Sequence, residues 1–456
     1  MNSIYPCPEL PQIQGLLNAG ILRQLLNCEL IQDKKIQTQP HIEDCRIIRI
    51  KYRPGRNCLI TCALTVSTAG VARASDVVVD FMVCRDGESA KVYNQSLSTA
   101  TISTLFGPGV FHLPSIDSVL WVFPNDRKLK GLEMLSDAGK IKNEVVPGIL
   151  RQFRDGYRVA GHIDLRPIQY VPERSCSVRL DLDLLSGSRP QVEKIQVFGK
   201  FYRPGECESV WRAMNEIWNS DECSSGLLAI PEPMAFLHQS QSLWVKWLTG
   251  KTLDEYNLGS EELSDSLEQM GKMLSALHRL EIDRLPAIGM PDIRRKLDST
   301  VDLISRARPD LQTKLLEVAD RLVSRSDSIP VEKHATLHGD LHLKNIFVQD
   351  DRRIAFIDLD NICSGDPSME LGSFIAYLYF RGLVEKRDLD QIEKLVASFI
   401  RAYAETGKVD PDKRSLRWHI AAALIHERAY RCLTRLKGDR FHLIDDLIGL
   451  ASEFST

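Results

Sequence analysis

An aspartate at 340, an asparagine at 345 and a second aspartate at 358 form the pattern that phosphoryl transfer requires. Asp340 and Asn345 lie in Leu337-His338-Gly339-Asp340-Leu341-His342-Leu343-Lys344-Asn345-Ile346-Phe347-Val348, and Asp358 lies in Phe356-Ile357-Asp358-Leu359-Asp360. Gly365-Asp366-Pro367 and Glu370-Leu371-Gly372 follow. Asp340 would accept the proton of an attacking hydroxyl. Asn345 and Asp358 would offer hard oxygen ligands to Mg2+ beside the phosphates of ATP. The apolar run 354–359 predicts a short strand that carries Asp358.

Other patterns compete with this one. His334, His338 and His342 recur every four residues, the spacing of a metal site on one helix face. Gly339 and the β-like stretch 345–348 argue against a continuous helix there, so His338 belongs with the loop. Trp211, Trp218, Trp244 and Trp247 read as core, because no basic groove accompanies them.

Around these residues the first half of the chain mixes strands with single helices, and the second half, from about residue 253, is mostly helical. Runs at 47–51, 59–66, 77–83, 118–122, 177–182, 194–200 and 243–247 predict strands. Apolar spacing of 3.6 residues predicts helices at 21–26, 210–218, 263–280, 293–305, 311–324, 389–403 and 418–436. Strands first, helices later, with one β interlude near 354–359, make an α+β protein of two lobes.

The first half also repeats itself. Gly20-Ile21-Leu22-Arg23-Gln24 recurs as Gly148-Ile149-Leu150-Arg151-Gln152. Tyr52, Pro54, Arg56 and Cys58 recur in spacing as Tyr170, Pro172, Arg174 and Cys176. Ala90-Lys91-Val92-Tyr93 parallels Gly199-Lys200-Phe201-Tyr202, and Leu120-Trp121-Val122 parallels Leu243-Trp244-Val245. Four matches in one order predict a duplication. The first copy lacks most of the acidic helix that the second copy carries around 211–218.

The catalytic motifs resemble those of the aminoglycoside phosphotransferase and choline kinase-like family, the small-molecule branch of the protein-kinase-like fold. The match is to its His-Gly-Asp-x-x-x-x-Asn loop, its Ile-Asp-x-Asp motif and the following Gly-Asp-Pro; Met273-Leu274-Ser275-Ala276-Leu277-His278 matches its preceding helix. The resemblance covers about residues 168–436. It implies a bilobal fold with a β-rich nucleotide lobe and a helical catalytic lobe, preceded here by the degenerate copy. The domains expected are then 1–142 (non-catalytic), 143–250 (nucleotide-binding) and 251–456 (catalytic loop and acceptor site). It implies Lys200 as the strand lysine on the nucleotide phosphates, with Glu216, or secondly Glu208, fixing it. It implies that backbone groups at Val245 and Trp247 meet the adenine edge, with Lys246 where the family often has an acid. The loop 171–175 has no glycine; if it meets phosphate, Arg174 or Ser175 is the group, the alternative being a solvated turn. Glu370 stands where the family has Asp and is implied to tie down the catalytic loop.

Composition narrows the rest. The chain has 456 residues with 61 acidic and 58 basic side chains, a net charge of −3, which argues against affinity built on nucleic-acid phosphates. No window reaches the ~18 apolar residues of a membrane span, and residues 1–10 lack the regions of a signal peptide. Eleven scattered cysteines without a CxxC pair are expected to be reduced, mostly buried thiols of a cytoplasmic protein. Nothing sets an oligomeric state. The function expected is phosphorylation of a hydroxyl on a small-molecule acceptor: a sugar, an amino sugar or a choline-like metabolite. The alternative is a pseudokinase that binds nucleotide as a scaffold. A protein kinase is disfavoured, since Gly365-Asp366-Pro367 follows Asp358 too closely for an activation segment.

Overall fold

Residues 9–31, 40–71, 73–98, 102–152, 156–186, 191–330, 334–408, 410–436 and 440–456 are described by the computed structural model. Most of the N-terminal segment weighed above as a leader lies outside them.

β1 (Pro40–Arg53) turns through Gly55, at φ 67, into β2 (Asn57–Thr68). Every second residue of β2, Cys58, Ile60, Cys62, Leu64 and Val66, is buried, as expected for a strand with one face on a core. These face the same side as Val77, Val79, Phe81 and Val83 of β3 (Ser75–Val83), to which β2 is paired. β4 (Val110–Leu113) and β5 (Ser118–Val122) complete a five-stranded sheet of order β1-β2-β3-β5-β4. The Ala19–Leu30 helix lays Leu22, Leu26 and Leu30 into its core. Asn18 caps that helix, accepting from the N–H groups of Gly20 and Ile21.

The second sheet repeats this plan. β6 (Arg158–Val171), β7 (Ser175–Leu185), β8 (Val192–Tyr202), β9 (Pro233–Leu237) and β10 (Ser242–Lys246) run in the order β6-β7-β8-β10-β9. Tyr52 pairs with Cys58 and Tyr170 with Cys176; Cys58 pairs with Val83 and Cys176 with Phe201. Each step is 118 residues, and the same face is buried in both. Ile141, Val145, Val146 and Ile149 fill the second core from below, where the Ala19–Leu30 helix fills the first. The shared pentapeptide is used differently, however. It buries Leu22 and exposes Ile21 in the first case, and buries Ile149 in the second.

Two expectations change here. Lys91 does not lie on a strand; it sits in the Ser89–Ser96 helix. The register position of Lys200, opposite Ser177, is held in the first sheet by Met82, opposite Leu59. That helix is also the one thought lost: it has eight residues against twelve in the Cys207–Trp218 helix. Its Val92 and Tyr93 pack on the face bearing Met82 and Trp121.

Both sheets fall in one compact unit, comprising Met1–Cys207, Met234–Trp244 and Thr434–Gly438. The second unit, Glu208–Pro233, Val245–Leu433 and Asp439–Thr456, is helical with small β pieces. Its chief helices are Glu261–Arg279, Met290–Ala307, Gln312–Ser326, Pro367–Glu385, Leu389–Gly407 and Lys413–Ala423. Leu263, Leu267, Met270, Leu274 and Leu277 form the apolar stripe of the first, and each such side chain stabilises the fold by about 1.5–3 kcal/mol. At Gly271 a Cβ would lie 2.5 Å from the Phe399 carbonyl, so the crossing with the Leu389–Gly407 helix requires glycine. β11 (Gly250–Thr252), β13 (Ile346–Gln349) and β14 (Ile354–Phe356) make one small sheet, and β12 (Ala335–Leu337) pairs with β15 (Cys363–Gly365). No helix among the described residues is long and apolar enough to cross a membrane. Eight of the described cysteines are buried and all are free thiols.

Candidate active site

β12 ends at Leu337, and the chain then runs through His338 and Gly339 to Asp340. Gly339 has φ 80, and a Cβ there would stand 1.9 Å from the Asn361 carbonyl oxygen. Only glycine allows that approach. His338 is fully buried, and its Nε2 meets the Ile357 carbonyl at 2.9 Å. The three histidines at 334, 338 and 342 share no helix.

Glu370, in the first turn of the Pro367–Glu385 helix, fastens this loop. Its carboxylate accepts from the His338 N–H at 2.9 Å and the Gly339 N–H at 2.6 Å. His278 Nε2 meets it at 3.0 Å, and His278 Nδ1 meets the Tyr403 hydroxyl at 2.9 Å. Burial alone would raise the Glu370 carboxyl. The hydrogen bond and charge of His278, with help from His338 and the Gly339 N–H, hold it below its ordinary value. Asp366 caps the helix, accepting from the Ser368 N–H at 2.8 Å, so the Gly-Asp-Pro motif is a strand end and a helix start.

Asn345 closes the loop's other end. Its Nδ2 donates to the Asp340 carbonyl at 2.9 Å, an arrangement that leaves its Oδ1 for a cation. The Ile357 N–H donates to the Asn345 carbonyl at 3.0 Å, which ties the Asp358 segment to Asn345. Asp358 itself is not on a strand. β14 stops at Phe356, and Asp358 stands past it with φ 61 and ψ 59. Asp tolerates that left-handed conformation better than most residues, and it turns an otherwise apolar segment toward solvent. The donor set, one amide oxygen and one exposed carboxylate, fits a Mg2+ ion that keeps nucleotide oxygens and water as its other ligands.

Residues beyond the motifs flank Asp340. Arg431 Nη2 lies 3.7 Å and His342 Nε2 3.8 Å from Asp340 Oδ1. Burial lowers His342, against the opposing pull of Asp340. The single helix expected over 418–436 is interrupted by a π-helical turn, Leu424–Ala429, a feature frequent at functional sites. Glu427, on this turn, is held at about 2: burial would raise it, but the adjacent Arg428 charge prevails. Arg428 lies over the Tyr377 ring at 5.4 Å. No motif signals Arg431. Its one sequence cue is a basic residue within an amphipathic helix, which is common to most helices.

The nucleotide-lobe candidates take these positions. Lys200 is buried on β8, with Nζ 5.4 Å from the Tyr202 ring centroid. Val245 is buried at the end of β10, and Trp247 is half-buried just beyond it. Glu208 is exposed at the start of its helix. Glu216 is engaged within the helical unit, where it accepts from the Asp283 N–H at 3.1 Å and lies 3.9 Å from Arg212. The turn joining β6 to β7 is not solvated throughout: Pro172, Glu173 and Ser175 are buried, and Arg174 is exposed. Glu173, at φ 58, is ringed by Arg127 at 2.6 Å, Lys128 at 3.5 Å and Arg53 at 3.7 Å. The Tyr170 hydroxyl and the Glu173 N–H both donate to Asp126 Oδ2, at 2.6 and 2.9 Å.

Residues 196–419 match the APH family, the phosphotransferase enzyme family. The matched segment spans 224 of the 456 residues, a little under half of the chain. Among solved structures, it is similar to spectinomycin phosphotransferase in complex with ADP and spectinomycin, at 13% identity, over 64% of this chain and 93% of that one, with a TM-score of 0.42. It is similar to choline kinase from Cryptosporidium parvum Iowa II at 12% identity, over 68% and 94%, TM-score 0.45. The ethanolamine kinase of Plasmodium vivax matches at 14% identity over 71% and 86%, TM-score 0.41. No curated protein matches the chain.

Proposed function

We propose that this protein uses ATP and Mg2+ to phosphorylate a hydroxyl of a small molecule, a sugar, amino sugar or choline-like metabolite, with Asp340 as the base. The observation that carries the reading is the double anchoring of the Asp340 loop. Glu370 holds the two N–H groups before Asp340, and Asn345 holds the Asp340 carbonyl. The carboxylate is thus presented on a backbone with little freedom to move, which is how positioning lowers a barrier.

In this reading Asp340 orients the acceptor hydroxyl and takes its proton as the oxygen attacks the terminal phosphoryl group. Asn345 and Asp358 would hold Mg2+, which supplies charge neutralisation on the phosphates. Lys200 neutralises charge that develops on the nucleotide. Val245 and Trp247 offer backbone groups to the adenine, and Arg174 or Ser175 remain the candidates for a phosphate contact from the β6–β7 turn. Arg431 beside Asp340 weighs toward a sugar over a cationic choline-like acceptor, because like charges there repel. Nothing among the described residues favours the scaffold reading.

The domains follow as 1–142, a duplicated nucleotide-lobe fold without chemistry; 143–250, the nucleotide lobe; and 251–456, the catalytic and acceptor lobe. The shared strand order and the constant register step support the duplication. The test of function is nucleotide consumption across a library of small metabolites, with Asp340→Asn as control. The variant should lose roughly 10²–10⁴-fold in kcat on the acceptor found. Equal turnover by the variant would remove Asp340 from its role.

A further inference from the structure

The first sheet carries a concentration of positive charge that the kinase reaction leaves unexplained. On β1, Arg49 stands opposite Thr61, Lys51 opposite Leu59 and Arg53 opposite Asn57. The three alternate on one face, and all are half-buried. Arg174, from the β6–β7 turn, and Arg435 stand close by. Burial first, then the charges of Arg435 and Arg174, push Arg49 down to about 10. Burial first, then Arg53, Arg435, Arg49 and Arg174, push Lys51 down to about 8.

The nearby acids relieve this only in part: Asp80 opposes the lowering of Arg49. Glu173 pairs with Arg127, Lys128 and Arg53. Asp126 accepts from Tyr170 and from the Glu173 N–H. Asp80 accepts from the Thr61 hydroxyl at 2.9 Å, and burial drives it toward its protonated form. Among the described residues, the side chains of Arg49, Lys51 and Arg174 make no hydrogen bond or ion pair with any of them. Half-buried cations without counter-ions destabilise a fold, and proteins tolerate such a group where a ligand supplies the missing charge. On the same face, beside Asp80, the Trp121 indole N–H is buried with no partner among the described residues.

We propose that Arg49, Lys51, Arg174 and Arg435 form a binding site for a phosphate-bearing anion. Planar guanidinium forks and a compact ammonium are the groups that recognise phosphate oxygens. Because Arg174 belongs to the turn between the first two strands of the nucleotide lobe, the ligand would bridge the two sheets and stiffen that turn. The phosphate could come from a nucleotide or from a phosphorylated metabolite.

The experiment is calorimetry on the full chain in EDTA, with the Lys200→Met variant as parent so that the nucleotide-lobe lysine does not contribute. Inorganic pyrophosphate should bind in one saturable event, and at least tenfold more weakly to R49M/K51M and to R174M in the same background. Glucose 6-phosphate and ADP then separate the two sources, since the true class binds more tightly than pyrophosphate. The R49M/K51M protein should melt no lower than its parent without anion; if it fails to fold, the single variant K51M decides, because Arg174 is also a candidate for the nucleotide phosphates. Absence of saturable binding, or equal affinity in the parent and in R49M/K51M (or K51M in its place), overturns the site. Because nothing here depends on turnover, the result stands apart from the kinase assay.

Discussion

The two five-stranded sheets share strand order, register and the identity of the buried face, yet they differ on the face opposite that core. Where the second has Lys200, the first has Met82; where the second has Phe198, the first has the buried Asp80. At the hairpin turn the first sheet has Gly55, with φ 67, and the second has Glu173, with φ 58. The same backbone plan accepts different residues on the face opposite that core, because strand pairing and the buried apolar row define it. That opposite face carries Lys200 in the second sheet and Met82 and Asp80 in the first.

The largest expected effect tests the lysine position. Lys200→Met should lower kcat/KM by roughly 10²–10³-fold, as for loss of a charge-stabilising donor, while Met82→Leu in the first sheet should leave it within about twofold, since volume-conserving swaps are tolerated. Comparable losses in both, measured on one acceptor, would break the comparison.

Next comes the turn. Glu173→Gln should destabilise the protein by about 1–3 kcal/mol in urea, because a charged acceptor buried among cations is lost. Glu173→Gly should unfold at higher urea than Glu173→Ala, by about 1 kcal/mol, because glycine accepts the left-handed backbone that Gly55 shows at the matching turn. Equal stability of the two would mean the turn rearranges.

A smaller effect depends on pH. The Asp80 carboxyl is raised well above its ordinary value, first by burial and then by Asp126 and Glu173, against the hydrogen bond from Thr61 and the charge of Arg49. The folded state therefore holds more protons than the unfolded state above the ordinary carboxylate range, and this group's contribution to stability falls as pH rises through that range. Asp80→Asn should raise Tm at pH 8 relative to the parent, and the gain should vanish at pH 4. A gain independent of pH would mean that Asp80 stays charged. The smallest effect is expected at Glu216, which is half-buried and engaged with Arg212 and the Asp283 N–H. Glu216→Gln should change kcat/KM by no more than about twofold, in line with surface ion pairs; a tenfold loss would return Glu216 to the nucleotide site.

Much of this molecule could be read from its residues, and the failures have physical causes. Strand 118–122 matches its observed bounds, and six more expected strands lie in the two large sheets. β6 escaped notice because it is an edge strand, wet on both faces and interrupted by Pro167, so it shows no alternation. The Pro367–Glu385 helix is apolar nearly all round, which erases the 3.6-residue period. The tetrapeptide likeness aligns Lys91 with Lys200, whereas backbone pairing puts Met82 at that position. Cys58 and Cys62, four apart on one strand, share its core face as buried free thiols.

The candidate catalytic residues were legible in the chain alone, because Asp340, Asn345 and Asp358 lie in short local segments, in which spacing along the chain and position in space are nearly the same thing. The four ordered matches within the first half are legible there too, since order along the chain is all they need. It took the folded chain to bring Arg431 beside Asp340, to show which two N–H groups Glu370 holds, and to place Asp358 beyond its strand in a left-handed turn. Only it gathered Arg49, Lys51, Arg174 and Arg435, which lie up to 386 residues apart in the chain. Contacts between distant segments depend on how whole elements pack, and no local pattern of residue types encodes that packing.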